Sequence, residues 1–140
     1  MKKIVFVCLG NICRSPMAEF VMKSLTDQLK IESRATSSWE HGNPIHQGTQ
    51  AIFKKYAISY DRNKTSQQIS TADFADFDYI IGMDESNVRD LKRMAPEDFQ
   101  HKIYQFEEES VPDPWYTGDF DQTYDLVLAG CKKWLERLDG

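Results

Sequence analysis

The 140-residue chain is expected to fold as one α/β domain, residues 1–140, in three layers: a four-stranded parallel sheet flanked by helices. Three observations carry this expectation. The apolar runs Ile4-Val5-Phe6-Val7 and Phe77 to Met83 are too short for helices, and each precedes a stretch whose apolar residues recur every three or four positions. Within the first run, apolar residues follow one another without alternation, the pattern of a strand buried on both faces. Strands that alternate with helices pair in parallel, because each helix carries the chain back across the sheet.

The elements follow in order. Lys3 to Val7 predicts the first strand. Ala18, Val21, Met22, Leu25 and Leu29 recur at helical spacing and predict a first helix packed on the sheet. Ile31 to Ser38 is a weaker strand, Gln47 to Tyr56 a second helix, and the polar stretch Ser59 to Ser66 a loop. Phe77 to Met83 is the clearest later strand, and Asp84 to Met94 follows as a helix capped by Asp84 or Ser86. A short strand over Lys102 to Phe106 leads into a loop from Glu107 to Gly118. Tyr124, Val127, Leu128, Cys131, Trp134, Leu135 and Leu138 then form one apolar face of a last helix, with Cys131 in the core.

Composition excludes several classes of function. Acidic residues outnumber basic ones by 22 to 17, for a formal net charge of −5, and no basic run is interleaved with aromatics, so no nucleic-acid partner is expected. No stretch approaches the roughly 20 apolar residues of a membrane span, and no membrane partner is expected. The lysines at positions 2 and 3 precede an apolar run, but that run ends at Gly10-Asn11 without a small-residue cleavage site and reads as a strand, not a signal peptide. Three cysteines cannot build a disulfide framework, which suits a reducing cytoplasm. A monomer is expected. Glu107-Glu108-Glu109 reads as a solvated loop face.

Chemistry concentrates where the first strand hands over to the first helix, at Cys8-Leu9-Gly10-Asn11-Ile12-Cys13-Arg14-Ser15. The loop amides from Leu9 to Ser15 can turn inward on an oxyanion, the helix N-terminus adds about half a positive charge, and Arg14 offers a two-pronged grip. The same field favours the anionic form of the Cys8 sulfur. Cys8 alone would also suit the end of a buried strand. Its neighbours argue otherwise: Gly10 and Asn11 tolerate left-handed backbone, and Ser15 brings a hydroxyl beside the sulfur, or caps the helix ahead of Pro16, or both. Cys8 and Cys13 lack the further ligands of a metal site, and no Gly-Lys-[Ser/Thr] follows the loop as a P-loop nucleotide enzyme requires. No metal or cofactor is expected.

The run Val7-Cys8-Leu9-Gly10-Asn11-Ile12-Cys13-Arg14-Ser15-Pro16-Met17-Ala18-Glu19 closely resembles the phosphate loop of low-molecular-weight protein-tyrosine phosphatases. The stretch Phe77 to Asn87 and the tetrapeptide Asp113-Pro114-Trp115-Tyr116 agree with two more of that family's blocks, in its order, so the resemblance covers essentially the whole chain. It implies hydrolysis of phosphotyrosine monoesters through a phosphocysteine on Cys8. Arg14 and the loop residues Leu9, Gly10, Asn11, Ile12, Cys13 and Ser15 would bind the phosphoryl group, and Asp113 would serve as acid and then base. The implied partners are tyrosine-phosphorylated proteins or peptides, phosphate and other oxyanions. Spacing alone does not separate this role of Asp113 from an ordinary turn before Pro114.

The resemblance also implies supporting roles. Asn11 corresponds to a loop-bracing asparagine linked to Ser33 and Asp84. Lys64 stands near a position where the family often has histidine, and a solvated lysine is the expectation there. Cys13 corresponds to a cysteine that can form a disulfide with the nucleophile, or else simply packs inward. Trp39, Glu40, Trp115 and Tyr116 resemble residues of the pocket rim, whose aromatic walls would hold a phenyl ring and exclude the shorter phosphoserine; Trp39 fits a buried core position equally well. Thioredoxin-coupled arsenate reductases resemble this loop but use two cysteines after the mid-chain strand, where Ile80 to Met94 has none. Protein-arginine phosphatases tend to have threonine where Ile12 stands. A phosphate-binding module or phosphocysteine carrier would have no need of Asp113.

Overall fold

The computed structural model describes residues 1–139. Four parallel strands, β1 (Lys2–Cys8), β2 (Leu29–Ala35), β3 (Tyr79–Gly82) and β4 (Ile103–Gln105), form one sheet in the order β2-β1-β3-β4. Six α-helices accompany them: α1 (Arg14–Leu25), α2 (Gln47–Lys55), α3 (Thr71–Asp76), α4 (Glu85–Met94), α5 (Pro114–Thr117) and α6 (Phe120–Asp139). A short 3-10 helix, Glu97–Lys102, precedes β4.

The central strand explains the layers. Successive side chains of a strand point to opposite faces, so Ile4, Phe6 and Cys8 join one core cluster while Val5 and Val7 join another. The first cluster lies under α1, α2 and α6, with Met17, Val21, Phe53, Val127 and Trp134. The second lies under α3 and α4, with Phe74, Phe77, Ile80 and Leu91. Both faces of β1 are thereby dry, which is why its sequence is apolar without alternation.

The fold differs from the sequence-based expectation in five elements. Leu29 does not belong to α1. That helix ends at Leu25, Thr26 turns extended, and its Oγ1 accepts the N–H of Gln28, so Leu29 opens β2, which in turn stops at Ala35. Helix α3 lies between the expected loop and the mid-chain strand, where the sequence analysis assigns no element, although Ser70 and Asp73 form a reciprocal capping box at its start. The 3-10 helix Glu97–Lys102 was not anticipated either. Inside the expected Glu107–Gly118 loop, α5 makes a single turn that starts at Asp113-Pro114 and ends on left-handed Gly118.

From β1 the chain moves to β2 on one side, then crosses back to β3 on the other. Loops leaving the carboxyl ends of β1 and β3 therefore diverge, and a crevice opens between them. Cys8 sits at the end of β1, Asp84 just beyond β3, and Asp113 on the segment after β4.

Candidate active site

Between β1 and α1 the chain wraps around the Cys8 sulfur. The Sγ lies 3.1 Å from Ser15 Oγ and is approached by the backbone N–H groups of Asn11 at 3.3 Å and Ser15 at 3.4 Å. The Ser15 amide is one of the N–H groups that a helix start leaves unpaired, so the positive end of α1 is aimed at the sulfur. Asn11 takes the left-handed conformation, φ 54°, that lets the loop curl this tightly.

The loop is held open by its carbonyls. Leu9 O accepts from the Ser37 hydroxyl at 2.8 Å, Gly10 O from the Ser66 hydroxyl at 2.8 Å, Ile12 O from the His46 N–H at 2.8 Å and Cys13 O from the Thr49 hydroxyl at 3.2 Å. In a trans peptide the C=O and the next N–H point in opposite directions. Anchoring these carbonyls outward therefore turns the following amides toward the sulfur, which makes a cradle for an oxyanion. Sequence alone does not single out Ser37, His46, Thr49 and Ser66: neither a hydroxyl nor a backbone N–H carries a signal that says which distant carbonyl it will meet.

Behind the loop, Asn11 Nδ2 donates to Ser15 Oγ at 2.8 Å and to Ser33 Oγ at 3.0 Å, while its Oδ1 accepts from the Gln67 N–H at 3.2 Å. With both amide hydrogens of Asn11 committed, Ser33 donates onward to Glu19 Oε1 at 2.6 Å, and the single Ser15 hydroxyl proton has two acceptors in reach, the Cys8 sulfur at 3.1 Å and Arg34 O at 3.3 Å. Glu19, buried on α1, also meets Lys23 at 2.7 Å and Lys64 at 3.3 Å. Lys64 is therefore not a solvated lysine. Its side chain is only 12 % exposed and its Nζ also donates to Ser33 O at 3.0 Å. Burial drives its pKa below the usual lysine value, against the pull of Glu19.

Asp84 stands apart from this brace. It does not reach Asn11; it is the N-cap of α4, accepting the Asn87 N–H at 2.7 Å, and its second oxygen receives Arg14 Nη1 at 2.6 Å. The end of β3 lies beside the start of α1, and the guanidinium fills the space between them. Arg14 Nη1 also donates to Val111 O at 2.9 Å, and Nη2 lies 3.4 Å from Asp113 Oδ2. Its Nε is buried and has no partner within the protein. Burial opposes the charge on Arg14, but the Cys8 sulfur, Asp84 and Asp113 outweigh it and raise its pKa.

Asp113 caps α5 by accepting the Trp115 N–H at 3.1 Å, so one carboxylate serves the turn and faces the cradle. The cleft over Cys8 is lined by Leu9, Gly10, Ile12, Cys13 and Arg14 below and by Trp39, Glu40, Asp113, Trp115 and Tyr116 around it. Asn11 and Ser15 point away from the cleft into the brace. Trp39 is 78 % exposed, which settles its place at the rim against a core position. Cys13, the last residue of the loop before α1, is buried; burial first, then the Cys8 sulfur, pushes its thiol far above the usual range. Cys131 is fully buried against α1, where its sulfur faces Ala18 O.

Comparison with known proteins agrees with this geometry. The family model described as low molecular weight phosphotyrosine protein phosphatase matches residues 3–140. The low molecular weight protein-tyrosine-phosphatase PtpA of Staphylococcus aureus is 45% identical over 141 residues, covering 94% of this chain and 90% of its own. Among solved structures, SP-PTP, a low molecular weight protein tyrosine phosphatase from Streptococcus pyogenes, is 64% identical and superposes with a TM-score of 0.97 over 99% of this chain and 93% of its own. YfkJ from Bacillus subtilis is 39% identical with a TM-score of 0.91, covering 99% and 95%. A sulfur cradled by outward-anchored peptides, an arginine at the cradle's end and a match from residue 3 to residue 140 together make this chain a member of the low-molecular-weight phosphotyrosine protein phosphatase family.

Proposed function

We propose that this chain hydrolyses phosphotyrosine monoesters in proteins or peptides by two displacements at phosphorus. In the first, the Cys8 thiolate attacks in line with the leaving oxygen, the S–P bond forms, the P–O bond breaks, and Asp113 gives its proton to the departing phenolate. In the second, the Asp113 carboxylate takes a proton from water, water oxygen bonds to phosphorus, and the S–P bond breaks to release phosphate and the thiolate. Arg14 and the inward amides bind the equatorial oxygens, whose charge they match best near the transition state. The buried Arg14 Nε, unpartnered within the protein, is a donor suited to one of those oxygens.

One observation carries this reading: the Cys8 sulfur is met by a hydroxyl and two backbone amides at 3.1–3.4 Å, an environment that stabilises a sulfur anion as both attacking and leaving group. The exposed walls of Trp39, Trp115 and Tyr116 favour an aryl ester long enough to reach the floor of the cleft. A monomer acting as a single catalytic domain fits a cleft lined from the phosphate loop, the Trp39-Glu40 segment and α5. Among the described residues no helix is long and apolar enough to cross a membrane. The three free thiols fit a reducing compartment such as the cytoplasm.

Phosphate release from phosphotyrosine, phosphoserine and phosphoarginine peptides, compared side by side without added metal, tests the substrate class. Phosphotyrosine is expected to be turned over fastest; equal or faster release from phosphoarginine would move the protein to the rival class. Cys8→Ser should abolish turnover while still binding phosphate, since the amides and Arg14 remain. Substantial hydrolysis by that variant would remove Cys8 as the nucleophile.

A further inference from the structure

His46 does not line the cleft, yet it touches three segments that the reaction needs in register. It is the N-cap of α2, with Nδ1 accepting the Gly48 N–H at 2.9 Å. Its own backbone N–H donates to Ile12 O in the phosphate loop at 2.8 Å. Its ring stacks on Phe120, the first residue of α6, with centroids 5.1 Å apart and planes 20° from parallel. The same ring meets Trp115 edge to face, at 5.6 Å and 81°. Phe120 in turn lies flush on Gly48, where a Cβ would come within 2.4 Å of the ring.

Capping α2 does not call for histidine, because serine, aspartate or asparagine supplies the same acceptor. What those side chains lack is a flat ring to fill the space between Trp115 and Phe120. These two aromatics bracket the turn headed by Asp113, which accepts the Trp115 N–H at 3.1 Å. Ahead of the turn the chain is anchored at buried Val111, whose N–H donates to Met83 O at 3.1 Å and whose O accepts from Arg14 at 2.9 Å; in the turn itself Pro114 is buried, but Trp115 and Tyr116 are largely exposed, and the contact between Asp113 and Arg14 is long at 3.4 Å.

We propose that His46 is a positioning residue for the acid. Its ring clamps the Trp115–Phe120 segment, its backbone holds the phosphate loop, and together they set the distance from Asp113 to the leaving oxygen. This rests on the reading of Asp113 as general acid.

Two substitutions separate the ring from the cap. His46→Asn keeps an acceptor for Gly48 and loses the ring; His46→Phe keeps the ring and loses the acceptor. Single-turnover rates of phosphocysteine formation are to be measured on a series of substituted phenyl phosphates, with inorganic phosphate inhibition measured in parallel. For His46→Asn the first step should slow about tenfold with phenyl phosphate, whose leaving group needs a proton, and less than about twofold with dinitrophenyl phosphate. Phosphate inhibition should stay within about twofold of wild type, because the cradle is intact. His46→Phe should keep near-normal rates on the whole series while melting at a lower temperature.

An unchanged leaving-group dependence in His46→Asn, or a loss of equal size on every ester, overturns the proposal. So does a His46→Phe variant that fails on poor leaving groups as His46→Asn does. His46→Ser, capped by its hydroxyl, repeats the test if His46→Asn folds poorly. Asp113→Asn, run in the same series, keeps the two readings apart. If it steepens the dependence and His46→Asn does not, His46 alone loses its role; if its own loss is uniform, the acid assignment falls first.

Discussion

Arg14 uses one guanidinium for two purposes. Its Nη1 is committed to Asp84 and to Val111 O, which fixes the plane of the group, and its Nε and Nη2 are left toward the cleft with no partner and one long contact respectively. A lysine ammonium could satisfy Asp84 or reach an oxyanion, and could not do both in a fixed plane. Arg14→Lys should therefore lower kcat by about 10² to 10³, the usual loss for a missing transition-state donor, in steady-state assays on an aryl phosphate. Near-normal turnover would mean that the fork is not used. Cys13 invites a second test, because its thiol is held far above the usual range by burial and by Cys8. Peroxide should oxidise the Cys8 thiolate to a sulfenic acid, and the Cys13 sulfur should then displace water from it to give a disulfide that added thiols reduce. Only the deprotonated Cys13 attacks, so closure should speed up as pH rises from neutral into the alkaline range. Mass mapping of the oxidised protein against time at several pH values follows this; a Cys13→Ser variant that recovers as fully as wild type removes the protective role.

Helix α6 shows how an element is placed by what it lacks. Its Gly130 sits against the Phe106 ring so closely that a Cβ there would lie 2.3 Å from it, and the Trp134 Nε1–H next along donates to Phe106 O at 2.7 Å. Phe106 also packs edge to face on Phe6 of β1, with centroids 5.8 Å apart. Glycine in a helix interior costs about 1 kcal/mol relative to alanine in helix propensity, so a substitution to alanine would normally stabilise. Here overpacking against a ring pinned on both sides should dominate. Gly130→Ala is expected to destabilise by about 1–3 kcal/mol in urea unfolding. A stabilised variant would show that Phe106 moves aside freely. Helix α4 is placed in the opposite manner, by an added group: Asp84 caps it with one oxygen and holds Arg14 with the other, so the start of the helix and the arginine share one anchor.

Across the molecule, a polar chain runs from Lys64 through Glu19 and Ser33 to Asn11, Ser15 and Cys8, joining the loop after α2 to α1, β2 and the cradle. Burial lowers the Lys64 pKa despite Glu19, so the charged lysine is less favoured in the folded protein than in the unfolded chain. Lys64→Met leaves Glu19 paired with Lys23 at 2.7 Å and hydrogen-bonded by Ser33 at 2.6 Å, so it should cost less at pH 7 than the roughly 3–5 kcal/mol lost when a buried charge is left uncompensated. The unfolded state binds the Lys64 proton more tightly, so wild type should gain stability relative to Lys64→Met as pH rises through the lowered value toward 10.5. Urea unfolding of both proteins at neutral and alkaline pH measures the two effects. A loss of several kcal/mol at pH 7, or a difference that shrinks with pH, would reverse this account of the pair.

The cradle was legible before folding because its parts are consecutive. A strand end, a tight loop and a helix start leave Cys8, the amides and Arg14 no freedom to be far apart, and local backbone geometry suffices to read them. The apolar runs of β1 and β3 and the face of α6 were legible for a similar reason: each repeats its signal over several residues. Short or single-turn elements such as α3 and α5 have no room for periodicity, and only their caps, Ser70 with Asp73 and Asp113 with Pro114, mark them. Partners distant in sequence were decided by the tertiary structure. The sheet order β2-β1-β3-β4 puts the end of β3 beside the start of α1, which gave Asp84 to Arg14 and not to Asn11. Lys64 reads as solvated because a lysine is buried only when a carboxylate and a carbonyl come to meet it, and Glu19 and Ser33 do so from two other elements. For the same reason the outward carbonyls of the loop found Ser37, His46, Thr49 and Ser66 only when the chain had folded around them.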